Sequence, residues 1–260
     1  MRSARASDRS FVLALALAFV ASAALTIAWC GSMSRMHAMP MPGGWSMSMM
    51  WMRMPGQTWP GLAASFLGMW VAMMTAMMLP SLLPMLRRYR AAVAAAGIAR
   101  ADRPTAVACA AYFAVWTLFG LAAFVAGAAI AALEMALPAL ARTAPLASGA
   151  IVTIAGAAQL TRWKARQLAC CRRADACGAA VRGDLAGAWR HGLMLGVRCV
   201  RCCLGLTIAM LVVGAMDLGA MAFATAAISA ERLAPRGERI ARISGVVLLA
   251  AGLGLLGRAI

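Results

Sequence analysis

The chain has 260 residues, of which 63% are hydrophobic and only 13% charged, with a formal net charge of +17. Soluble domains carry about 25% charged residues, so the composition excludes an ordinary soluble globular protein. The basic excess does not point to nucleic acid either: it falls in short clusters between apolar runs, where it reads as loop topology and contact with anionic lipid.

Apolar runs long enough to cross a bilayer recur along the chain. The first, 11–29, follows the basic segment MRSARASDR. It has signal-peptide features, including ASA at 21–23, but its length favours an uncleaved helix. Further spans are predicted at 61–86, 104–133, 145–161, 192–213, 216–230 and 241–257. The expected fold is therefore an all-α, polytopic transmembrane helical bundle of about seven helices, with no internal repeat. Residues 1–60 read as a membrane anchor and a Met-rich extracytoplasmic loop. Residues 61–260 read as a multi-helix membrane domain with a cysteine-bearing cytoplasmic loop. Segments 1–10, 87–103, 162–190 and 231–242 hold 19 of the 25 Lys and Arg residues. The positive-inside rule then puts the N-terminus in the cytoplasm and the C-terminus outside, in a bacterial inner membrane.

Residues 33–54, MSRMHAMPMPGGWSMSMMWMRM, contain nine methionines and one histidine. Soft thioethers select Cu(I), and an imidazole can join them. Met36, His37, Met39 and Met41 are the candidate ligands in this loop. The bland alternative is a greasy loop lying on the bilayer, anchored by Trp45, Trp51 and Trp59.

In the second span, Met73, Met74, Met77 and Met78 fall on one broad face by i, i+4 pairing, extended by Met69 and Met85. Pro80 and Pro84 are expected to kink this helix beside a cavity. Met77 and Met78 are candidate ligands of a sulfur ladder, and core or lipid-facing methionine is the alternative.

The fifth span contains RHGLMLGVRCVRCCLGLTIAM. On a helix, Cys199, Cys202 and Cys203 lie at i, i+3 and i+4 and share a face. His191 and Met210 extend the stripe in the two directions. Such a thiol set suits Cu(I), with Zn(II) as the other ion it could hold. Arg198 and Arg201 flank the cluster, where guanidinium groups could stabilise thiolates. The preceding loop adds Cys170, Cys171 and Cys177, as a second site or a joint one with Cys199. Cys30 and Cys109 read as packing. Asp217 and Glu231 sit near predicted interfaces and read as solvated carboxylates.

Several blocks together resemble a bacterial family of predicted metal-binding integral membrane proteins, a domain of unknown function. They are MWVAMMTAMMLPSLLPML, QLTRWK, RHGLMLGVRCVRCCLGLTIAMLVVGAMDLGAMA and ERLAPRGERIARISGVVLL, within residues 61–257. The resemblance implies roles for Met77, Met78, Pro80, His191, Cys199, Cys202, Cys203, Met210 and Met216. The chain departs from the family at Arg198 and Arg201, and in having adjacent Cys170 and Cys171 rather than a spaced pair.

The leading functional reading is a membrane protein that binds a soft metal, Cu(I), for transport, delivery or tolerance. Its expected partners are the lipid bilayer and a metallochaperone or metalloenzyme, with no nucleic acid. A membrane thiol-disulfide oxidoreductase and a non-catalytic membrane subunit are the alternatives. No hydrolase or ATPase motif is present, and no catalytic residue is assigned.

Overall fold

The computed structural model of the chain describes residues 2–34, 39–53, 56–98, 101–173, 184–214 and 217–259. Among these, the architecture is all-helical apart from one small hairpin. The helices are α1 (Arg2–Ser34), α2 (Trp59–Ala95), α3 (Asp102–Ala136), α4 (Pro138–Gln159), α5 (Arg162–Arg173), α6 (Leu185–Gly214), α7 (Leu218–Leu233) and α8 (Gly237–Ala259). The hairpin pairs β1 (Met39–Met41) antiparallel with β2 (Trp45–Met47).

Local chemistry sets the boundaries. Thr58 caps α2 by accepting from the Gly61 amide at 3.2 Å, with Pro60 in the first turn, where its missing N–H costs nothing. Pro138 opens α4 after a single extended residue, Leu137. Asp217 caps α7 through the Ala220 amide at 2.7 Å, so this carboxylate has a structural task rather than mere solvation.

Six helices are long and apolar enough to cross a membrane: the 8–33 part of α1, and α2, α3, α4, α6 and α8. The predicted span at 216–230 corresponds to α7, whose 16 residues extend roughly 24 Å, short of the ~30 Å hydrocarbon core. α7 nonetheless packs against its neighbours. It starts just beyond the end of α6, and its Glu231 is hydrogen-bonded to Gln159 at the end of α4 and Ser244 near the start of α8.

The segment read as a loop at 162–173 is helix α5. Lys164, Leu168 and Cys171 are its buried residues. They fall at i, i+4 and i+7, the spacing of one helical face.

Small residues bring the helices together, as in lipid, where packing rather than water exclusion drives association. At the α4–α8 contact, a Cβ on Gly156 would meet the Leu249 amide nitrogen at 2.6 Å, and one on Gly245 would meet Gln159 Cβ at 2.9 Å. Gly192 and Gly196 of α6 press on Ala108, Tyr112 and Val115 of α3. α2 is the central helix. Its Trp70 is fully buried, donates to the Trp116 carbonyl at 2.8 Å, and lies over Gly120. Conversely, Leu13, Leu17, Leu118, Val125, Ile154 and Leu253 all face outward. A surface this apolar suits contact with lipid.

Candidate metal centre

α2 contributes a sulfur face. Met69, Met73, Met74, Met77, Met78 and Met85 are all buried in the main core, so the stripe points inward and not to lipid. Pro80 and Pro84 both lie within α2. Between them, the buried Ser81 hydroxyl donates to the Met78 carbonyl at 3.0 Å.

α6 brings Cys199, Cys202 and Cys203 to the same core, each no more than 2% exposed. Because α6 starts at Leu185, seven residues before the predicted span, the cysteines stand at mid-helix and not at its mouth. The Cys199 thiol lies 3.9 Å from Met78 Sδ and 3.8 Å from Cys203 Sγ. Tyr112 of α3 donates its hydroxyl to Cys199 Sγ at 3.0 Å. Cys171 of α5 and Cys202 of α6 are buried in the same core as Cys199 and Cys203. α5 thus adds one buried thiol, Cys171, to the core that holds the three of α6. The Cys202 thiol and burial both push the Cys171 thiol up from its ordinary value.

Two charged groups complete the site. Arg232, in the last turn of α7, donates to Cys199 Sγ at 3.2 Å, to Ser81 Oγ at 2.8 Å and to Met85 Sδ at 3.0 Å. Lys164 of α5 forms a 2.6 Å ion pair with Glu231 and donates to the Cys202 carbonyl at 2.7 Å. Both members of that pair are at most 3% exposed. Gln159 and Ser244 donate to the other Glu231 oxygen at 3.0 and 2.7 Å. Burial opposes the charge on Lys164, but Cys202 and Glu231 outweigh it and hold the ammonium above its ordinary range. Glu231 is therefore a buried ion-pair partner, not a solvated loop residue.

The arginines that flank the cysteines in sequence do not reach them. Arg201 is exposed and Arg198 half-buried, because neighbours on a helix point about 100° apart. The cation on the thiols is Arg232, 33 residues on from Cys199. Sequence reasoning had no signal linking the two, although the Lys164, Leu168 and Cys171 spacing was available to reveal α5.

The remaining candidates fall elsewhere. His191 stacks on Tyr89 with ring centroids 4.5 Å apart, about 12 Å along the helix axis from Cys199. Met210 and Met77 are buried in the same core. Cys170 is exposed beside Cys171. Met41 is buried with Met47 against Ala131 and Ala141, while Met39 is exposed. Met36, His37, Cys177 and Met216 lie outside the described residues.

The donor set can be tested against an ion. Metal–thiolate sulfur bonds are about 2.3 Å, so three sulfurs around one ion stand about 4.0 Å apart. The two measured separations at Cys199 match that spacing. Among the described residues, no three His, Cys, Asp or Glu side chains gather as a metal-holding group. A site here must therefore recruit the Met78 thioether, which favours a soft ion.

No curated protein and no solved structure matches the chain. The model of the PpoB2 family, described as copper chaperones, matches residues 67–255, the stretch from α2 through α8 that carries every sulfur and charge of this site. The chain thus belongs to the PpoB2 copper chaperone family.

Proposed function

We propose that this protein is a cytoplasmic-membrane copper chaperone that carries Cu(I) as cargo on Cys199, Cys203 and Met78 in the interior of its helical bundle. The carrying observation is the pair of sulfur contacts at Cys199, one to a thiol on α6 and one to a thioether on α2. Two thiolates and a thioether suit Cu(I), whereas structural Zn(II) prefers four harder or thiolate donors. As the two Cu–thiolate bonds form, the two thiol protons leave to solvent. Cys202 and Cys171, buried in the same core, extend the thiol set toward α5.

The apolar outer surface and the charge asymmetry support seven passes with the N-terminus inside, α7 being a short span enclosed by its neighbours. The exposed Cys170 then faces the cytoplasm, where a soluble metallochaperone or metalloenzyme exchanges copper with the cluster. The test is anaerobic Cu(I) titration of the purified chain in lipid nanodiscs against a chromophoric Cu(I) chelator. About one tightly held Cu(I) per chain is expected, lost in C199S/C203S and weakened in M78L. Equal copper in the wild type and the double variant would sink the proposal.

A further inference from the structure

The Arg232 guanidinium is 5% exposed. Its three described partners are a hydroxyl, a thiol and a thioether. Its Nε is buried with no hydrogen-bond partner. The adjacent carboxylate, Glu231, is engaged by Lys164, Gln159 and Ser244. The ion pairs described elsewhere, Arg87 with Asp8 and Arg90 with Asp102, do not involve it. Arg232 is thus a buried cation with no carboxylate counter-ion among the described residues. An uncompensated charge in such a setting is costly, and the ionisable group it reaches is the Cys199 thiol, whose sulfur is 3.8 Å from that of Cys203.

We infer that Arg232 sets the metal selectivity of the site, by matching the charge of a bis-thiolate complex of a monovalent ion and not of a divalent one. This rests on the proposed Cu(I) site. With Cu(I), the Cys199 and Cys203 thiolates make an assembly carrying one negative charge. Arg232 neutralises it. With Zn(II), the same ligands make a neutral assembly and leave the buried guanidinium uncompensated. The penalty falls on the divalent ion alone, so the selectivity does not depend on ligand softness only. Arg232 is a positioning and selectivity residue that acts on the ligands, not itself a ligand.

The experiment measures Cu(I) and Zn(II) affinities of the full chain in nanodiscs, each ion against its own chelator. The variants are R232Q, R232K and M85E, with helical content and elution profile confirming the fold. R232Q removes the charge and keeps a donor, and its Cu(I)-to-Zn(II) affinity ratio is expected to fall by about tenfold or more. R232K keeps the charge and is expected to hold the ratio within about threefold of wild type. M85E leaves the arginine in place and gives it a carboxylate, which should lower the ratio about as far as R232Q does. A folded R232Q or M85E with the wild-type ratio overturns the inference, as does R232K behaving like R232Q. If R232Q does not fold, M85E decides. In all of these outcomes wild-type Cu(I) binding survives, so the proposed function stands. If wild-type protein itself binds no Cu(I), that function falls and the inference falls with it.

Discussion

Two regions of this molecule are rich in sulfur, and they use it differently. In the β1–β2 hairpin, Met41 and Met47 are buried against the alanines of α3 and α4, and Trp45 fixes the hairpin by donating to the Ala141 carbonyl at 2.8 Å. In the interior of the bundle, sulfurs of α2 and α6 meet each other and the buried Arg232, while the buried Lys164 holds the Cys202 carbonyl. Methionine count does not separate the two regions. What separates them is convergence of sulfurs from different helices together with the charge needed to hold them as anions.

The comparison can be broken or sharpened at four points, from the largest expected effect to the smallest. Lys164→Ala leaves Glu231 buried and unpaired, and should cost about 3–5 kcal/mol, read as the unfolding midpoint in mild detergent. K164M/E231Q, which removes both charges, should recover much of that loss. C199S/C203S should lower Cu(I) affinity by more than about tenfold, equivalent to about 1.4 kcal/mol, with near-native melting, because the changes are small in volume. Gly43→Ala strikes the hairpin instead. Gly43 has φ +104°, and an added Cβ would meet the Arg142 backbone at 3.2 Å, so a loss of about 1 kcal/mol or more is expected, with Cu(I) affinity unchanged. M41L/M47L should cost less than about 1.5 kcal/mol and leave copper at the wild-type level. A hairpin variant that loses interior copper would erase the distinction drawn between the two regions.

Much of the frame was legible from hydropathy alone. Each predicted span from 11–29 to 241–257 overlaps a helix, because a long apolar run in lipid has few other structures open to it. The i, i+3, i+4 pattern of Cys199, Cys202 and Cys203 also gave the shared face. The polar half of the site was harder to read. Glu231 and Arg232 stand where a span gives way to a charged loop, and charges there usually read as solvated. Glu231 is covered by partners from α4, α5 and α8, and Arg232 by partners from α2 and α6; the basic character of α5 disguised a helix as a loop. Gln159, Lys164, Glu231, Arg232 and Ser244 all fall within the QLTRWK and ERLAPRGERIARISGVVLL blocks. Sequence reasoning used those blocks for resemblance and not for chemistry. Conversely, Arg198 and Arg201 were adjacent in number and not in space.

Lys164 also decides how the thiols are closed off. α5 is a polar helix that buries Leu168 and Cys171 in the core, and one ammonium on the same face holds the α6 main chain and the α7 carboxylate at once. A cover secured by spread apolar area loosens by degrees. One that also hangs on a buried ion pair carries a latch, and Lys164 with Glu231 is that latch beside Cys171, whose sequence neighbour Cys170 is exposed.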